Sequence, residues 1–346
     1  MRRKSADQPR VGERVNEFQL LRAVGRGSVS TVYTAVDTGD PDRRRVALKL
    51  LHPDLAVRAE AHSMLYDEAC VLRRIDHPNV VRVVSRGTWL GIPYIALEAV
   101  DGRTYASVLN SVGHLGWQLD PGFHCLVLAQ AAAGLHAAHQ ATEPSGSPLC
   151  VVHRDFKPSN LIVGYDGAVK VIDFSVVHAR KRQSRTRVGI VKGTPSYLSP
   201  EQISRPQSVD FRADIWALGV VAWEAFAGRR LFASRVYARA VSKIMLGEIP
   251  NLAEVAPRVP NAVSDLVMRC LRRDPAARPE SADEISRRLF SAADALGYTH
   301  VSHVGEELAR WVDASHAEAL PEGALSPADD DTTGLFIPID VDVATA

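Results

Sequence analysis

His153-Arg154-Asp155-Phe156-Lys157-Pro158-Ser159-Asn160, followed one short hairpin later by Asp173-Phe174, gathers two carboxylates, a carboxamide and a lysine around one loop. Moving a phosphoryl group from a metal-bound nucleotide needs that set. One carboxylate orients the attacking hydroxyl. The amide and the second carboxylate hold a divalent cation against the phosphates, and the lysine offsets charge on the moving group. The hairpin is legible from Leu161-Ile162-Val163 and Val169-Lys170-Val171-Ile172 on either side of the turn Asp166-Gly167.

Upstream, Phe18-Gln19-Leu20 runs into Gly25-Arg26-Gly27-Ser28-Val29-Ser30, and two apolar stretches follow, Val32 to Val36 and Val46 to Leu51. This reads as strand, turn, strand, strand. Glycines let a backbone close over phosphates and present its N–H groups. The same loop also suits an ordinary hairpin, so alone it decides little. Glu60 to Ile75 reads as a helix with Met64, Ala69, Leu72 and Ile75 on its inner face, ended by His77-Pro78-Asn79. Two more strands are expected near Val80 to Arg86 and Tyr94 to Glu98. After Asp101-Gly102 the composition turns helical. Gly122 to His139 repeats Leu128, Ala131, Leu135 and Ala138 at helical spacing, and helices dominate from Ala213 to about Leu296.

At 346 residues with a formal charge of +1, the chain has ample core and no global case for nucleic-acid binding. Cys70, Cys125, Cys150 and Cys270 form no Cys-x-x-Cys pair, so reduced, mostly buried thiols are expected. The basic start Met1-Arg2-Arg3-Lys4 leads into no apolar run, and Ile215 to Trp223 is too short to span a bilayer. A soluble cytoplasmic protein is expected.

Taken together, His153-Arg154-Asp155, Lys157, Asn160, Asp173-Phe174, Ala47-x-Lys49, Gly193-Thr194-Pro195-x-Tyr197, Ser199-Pro200-Glu201, Asp214-x-Trp216-x-x-Gly219 and Arg278-Pro279 resemble the eukaryotic-type (Hanks-type) protein kinases, and bacterial members in particular. The resemblance covers about residues 18 to 290. It implies an α+β, bilobal fold: a small antiparallel β N-lobe with one main helix, and a larger, mostly α-helical C-lobe. It implies that Asp155, Lys157, Lys49 and Glu68 are catalytic, with Glu68 pairing Lys49 in preference to Asp67 or Glu60. Val24, Gly25, Gly27, Val32, Ala47, Lys49, Leu97, Glu98, Val100, Asn160 and Asp173 would line the ATP site. Leu97 would gate the pocket, and the backbones of Glu98 and Val100 would bond the base. Asn160 and Asp173 would hold Mg²⁺. Glu201 would pair with buried Arg278, Asp214 would brace the catalytic loop, and Leu72, His153 and Phe174 would stack between the lobes.

Lys157 two residues past Asp155, with Thr194, resembles serine/threonine rather than tyrosine kinases. The expected activity is therefore transfer of the ATP γ-phosphate to Ser or Thr of proteins, including this chain itself in trans. Ser184, Thr186 and Thr194 are the candidate regulatory phosphorylation sites, and Arg154 the phosphate partner. Arg180, Lys181, Arg182, Arg185 and Arg187 make that stretch basic, which suits a solvated loop better than a nucleic-acid patch.

Ser30 replaces the third glycine of the loop, and Ser175 the glycine after Asp173-Phe174. Both support an alternative, a pseudokinase-type nucleotide-binding scaffold. A small-molecule phosphotransferase is opposed by Gly193 to Glu201. The expected organisation is a flexible N-terminus over 1–15 and a kinase domain over 16–295, divided into lobes at 100/101. A helical extension follows over 296–314, with an added helix from Gly305 to Val312, then an acidic, disordered tail over 315–346. In that tail Thr332-Thr333, after three aspartates, offers a site for modification or docking, set against plain solvation.

Overall fold

The computed structural model describes residues 8–114, 118–174, 195–234 and 236–317. Alternating apolar residues build an antiparallel sheet from β1 (Arg14–Val15), β2 (Phe18–Arg26), β3 (Ser30–Asp37), β4 (Arg45–Leu51), β5 (Val83–Trp89) and β6 (Ile92–Glu98), in the order β1-β2-β3-β4-β6-β5. The strand β6, between β4 and the edge strand β5, is buried almost throughout. β5 and β6 turn at Leu90-Gly91, both at positive φ (49° and 87°), as a tight hairpin following strand twist requires. Part of the stretch expected to be loose is tied into this sheet. Val15 is fully buried, and the Tyr33 hydroxyl donates to the carbonyl of Pro9 at 3.1 Å.

Helix α1 (Ala59–Leu72) packs on β5 and β6 through Ala61, Leu65, Ala69 and Leu72. Met64, expected inside, is 46 % exposed. It lies roughly 100° around the helix from Leu65, and Leu65 takes the core position.

The chain leaves β6 at Glu98 and enters a second sheet of β7 (Gly102–Thr104), β8 (Leu161–Gly164) and β9 (Val169–Val171). Around it lie α2 (Tyr105–His114), α3 (Pro121–His139), α4 (Pro200–Ser204), α5 (Arg212–Ala227), α6 (Tyr237–Leu246), α7 (Leu252–Val255), α8 (Asn261–Cys270), α9 (Ala282–Ala295) and α10 (Ser302–Ala317). Asp120 caps α3, its carboxylate accepting the Gly122 N–H at 2.7 Å. α3 is buried on nearly every face because α9, α5 and β9 surround it.

The added helix is longer than the expected Gly305 to Val312. It buries Val304, Leu308 and Trp311 against α3 and β8. Its docking depends on Gly167 at the β8–β9 turn. That residue has φ +84°, and a Cβ there would overlap the carbonyl oxygen of Val301. Cys125 and Cys270 are buried as expected, whereas Cys70 and Cys150 are exposed; all four are free thiols.

Candidate active site

Val32 and Lys49 face each other across β3 and β4, and Ala47 faces Leu97 across β4 and β6, so the sheet register sets these four side by side. The loop from Gly27 to Val29 is closed by the Gly27 N–H donating to the Ser30 carbonyl at 2.9 Å. Gly25 pairs with Val32, and the extra residue Val24 sits in a register shift. Ser30 lies in β3 and is buried, so it belongs to the strand rather than to the turn.

Lys49 Nζ donates to both Glu68 oxygens, at 2.9 and 2.8 Å, and to Asp173 Oδ1 at 2.5 Å. Asp67 and Glu60, the rival partners, do not take that place. Burial alone would lower the Lys49 ammonium, but the carboxylates of Asp173 and Glu68 outweigh it and raise it. Burial pushes the Glu68 carboxyl up to about 7 against the pull of Lys49. At Asp173 burial works the same way, but Lys49 outweighs it and holds the carboxyl below its ordinary range. One buried cation facing two carboxylates leaves local negative charge to be matched.

The catalytic loop is fixed from beneath. Asp214 on α5 accepts the backbone N–H of His153 through Oδ2 at 2.8 Å and that of Arg154 through Oδ1 at 2.9 Å. His139 on α3 places Nε2 2.8 Å from the same Oδ2. Burial alone would raise the Asp214 carboxyl; His139 and the His153 amide outweigh it and lower it. Asn160 Nδ2 donates to the Asp155 carbonyl at 2.7 Å, and the Ile172 N–H donates to the Asn160 carbonyl at 3.0 Å. These bonds tie the loop to the strand that delivers Asp173. Lys157 Nζ lies 3.3 Å from Asp155 Oδ2. The buried Asn160 Oδ1 has no hydrogen-bond partner among the described residues.

Two of these residues hold left-handed backbone, Arg154 at φ 65° and Asp173 at φ 62°. Non-glycine residues there cost about 1–2 kcal/mol each, and such strain concentrates at functional sites. Ser175, Ser184, Thr186, Thr194 and the basic stretch lie outside the described residues.

His153 and Phe174 pack with ring centroids 4.6 Å apart, and Leu72 is buried beneath the sheet. Arg278 is buried, with its guanidinium donating to Glu201 at 2.6 and 2.8 Å and to the carbonyls of Arg212, Arg272 and Arg273. Ser199, where the resemblance has alanine, caps α4. Its hydroxyl accepts the Gln202 N–H while the Gln202 side chain accepts the Ser199 N–H. Gln202 also donates to the Arg154 carbonyl at 3.1 Å, so α4 touches the catalytic loop.

At the strand exit, the Glu98 N–H donates to the Arg82 carbonyl at 2.9 Å. A base could therefore reach only the carbonyl of that residue. The Glu98 side chain is held by Lys170 at 2.7 Å. Val100 follows, nearly buried. The reading of the sequence did not include His139; its signal was a histidine among the alanines of a helix otherwise built for burial.

A family model described as a protein kinase domain matches residues 18–290. The chain is 33% identical over 313 residues to the tyrosine-protein kinase MasK of Myxococcus xanthus, covering 88% of this chain and 48% of that one. It is 31% identical over 286 residues to the serine/threonine-protein kinase PrkC of Bacillus subtilis, covering 82% and 42%. The solved kinase domain of Mycobacterium tuberculosis PknI shares 25% identity at a TM-score of 0.60, covering 82% of this chain and 99% of that one. The chain spans about half the length of the curated relatives it matches.

Proposed function

Because this chain belongs to the protein kinase family, with bacterial Hanks-type kinases among its relatives, we propose that it transfers the γ-phosphate of ATP to Ser or Thr hydroxyls of protein substrates, itself included. The observation that carries this reading is the convergence of Lys49 on Glu68 and Asp173, beside Asp155 and Asn160. A scaffold with no transfer has no need to keep that charge arrangement.

Asp155 is assigned to the attacking hydroxyl, whose proton it accepts; general-base assistance of this kind is worth about 10²–10⁴-fold. Lys157, at hydrogen-bonding range of Asp155, keeps that carboxylate oriented and neutralises charge on the transferring group. Lys49 is assigned to the α- and β-phosphates, with Glu68 holding the ammonium in place. The loop with Val24, Gly25 and Gly27, together with Val32, Ala47, Leu97, Glu98 and Val100, forms the nucleotide pocket in this reading.

The residues fit a hard divalent cation. Asn160 Oδ1 is a buried oxygen with no partner among the described residues, and Asp173 is a carboxylate held ionised. We assign Mg²⁺ to these two. When bound, it would offset phosphate charge as the phosphoryl group moves.

Lys157 favours Ser/Thr over Tyr, whereas MasK is named a tyrosine kinase; the acceptor is therefore read directly. Labelled MgATP is incubated with the protein and with a generic basic protein, followed by phosphoamino-acid analysis, beside Asp155→Asn. Label on Ser or Thr that disappears in Asp155→Asn is the expected result. Label on Tyr would overturn the acceptor. No label in the natural protein, but label in Ser175→Gly, would assign the silence to Ser175. Full activity after Ser184→Ala and Thr186→Ala together would remove those two as activating sites. No helix among the described residues is long and apolar enough to cross a membrane, and free thiols suit a reducing, cytoplasmic setting.

A further inference from the structure

Behind α1, away from the nucleotide side, Cys70, Arg73, Arg74 and Arg86 line an open cleft of about 320 Å³. All three arginines are exposed, and none has a carboxylate within ion-pair distance among the described residues. Cations at a helix C-terminus are common because they complement its dipole, which accounts for Arg73 and Arg74. It does not account for Arg86, which comes across from β5. Arg86 is also oriented: it donates to Cys70 Sγ at 3.1 Å, and its guanidinium lies 5.4 Å from the centre of the Tyr66 ring. Two arginines from a helix end and one pre-positioned from a strand make a receptor for carboxylate oxygens.

The sequence holds a complementary segment. Residues 318–346, outside the described residues, carry Glu318, Glu322, Asp329, Asp330, Asp331, Asp340 and Asp342 with no Lys or Arg. They follow α10, whose start is linked through buried side chains to the loop that leaves the cleft. The carbonyl of Val301 sits against Gly167; the Gly167 carbonyl accepts from Gln130 at 3.0 Å; and Gln130 accepts from Asn79 at 3.1 Å. Asn79 belongs to the loop that leaves Arg73 and Arg74. Past Gly167, α10 runs toward β7, where Trp311 lies under Arg103. From Ala317 to Asp329 a chain can span up to about 40 Å, comparable with the width of a domain of this size.

We propose that Asp329-Asp330-Asp331 docks in cis on Arg73, Arg74 and Arg86, so that the acidic C-terminal segment binds the back of the helix that carries Glu68.

Cys70 reports occupancy because it lines the cleft. In the 346-residue chain carrying Cys150→Ser, it is the exposed thiol among the three that remain, the other two being buried. Its rate of reaction with a neutral maleimide is compared between the natural tail and Asp329→Asn/Asp330→Asn/Asp331→Asn. With an effective concentration of order 1 mM, a Kd of about 0.2 mM slows labelling about sixfold. The natural tail should therefore protect, and the neutralised tail should not. Arg73→Glu/Arg74→Glu/Arg86→Glu should also lose protection, and combining it with lysines at 329–331 should restore it. Equal rates with natural and neutralised tails would overturn the proposal. Protection that fades on dilution would also overturn it, by assigning the cleft to a second copy.

Discussion

His139 Nε2 and Asp214 Oδ2 lie 2.8 Å apart, joining α3 to α5 directly beneath the catalytic loop. Asp214 presents its oxygens to two backbone amides of that loop, and His139 keeps the carboxylate turned toward them. His139→Ala should lower the turnover number about tenfold, since misplacing reacting groups is costly, with the ATP KM little changed. His139→Gln keeps a donor near Nε2 and should recover most of the loss. Steady-state kinetics of the two variants checks this.

Lys49→Met should lower transfer by about 10²-fold or more, as expected for losing a preorganised charge at a transferring phosphoryl group. It should also destabilise the fold, because buried Glu68 and half-buried Asp173 are left without their shared cation. Breaking such a pair from one side costs about 3–5 kcal/mol. Denaturant unfolding separates this from the kinetic loss, and Lys49→Met/Glu68→Gln should recover part of the stability and none of the activity.

His124 is buried among Phe123, Tyr105 and Phe226, with Nδ1 2.7 Å from the Tyr105 hydroxyl. Burial pushes its pKa from 6.5 down to about 3. The native state therefore binds fewer protons than the unfolded one below 6.5, and stability falls as pH drops from there toward 3. The slope approaches about 1.4 kcal/mol per pH unit. His124→Asn keeps an acceptor for Tyr105 without the titration. Urea unfolding at stepped pH should show the slope flattened in that variant.

Gly167→Ala should cost about 1–3 kcal/mol from backbone strain alone, and it should lift α10, since the new methyl meets the Val301 carbonyl. Faster amide exchange over residues 302–311, with β2 to β6 unchanged, is the expected signature.

The parts of the site that a sequence states plainly are those held by short spacings. Asp155, Lys157 and Asn160 share one loop, and Asp173 follows one hairpin later, so their grouping follows from local geometry. The Lys49–Glu68 bond spans 19 residues and was legible only through resemblance, while the Lys49–Asp173 bond, across 124 residues, was not foreseen. Periodicity found α1 and most of the buried positions expected with it, Ala69, Leu72 and Ile75, but put Met64 where Leu65 lies, because both are apolar and only the sheet beneath chooses between them. The backbone of Glu98 was expected to meet a base; its N–H is taken by the Arg82 carbonyl, which leaves the Glu98 carbonyl for that role, a division no spacing rule marks. Ser199 read as a departure from a motif. In the fold it is a helix cap whose partner, Gln202, holds the catalytic loop.

The family match stops at residue 290, yet Val304, Leu308 and Trp311 are as deeply buried as the centre of α3. Resemblance and cooperative folding thus have different right-hand borders. A polypeptide trimmed to the recognised domain would keep every catalytic side chain and still uncover apolar surface on α3 and β8. Such a fragment should be sticky and short-lived in solution, so any purification or crystallisation effort must carry the chain through Ala317.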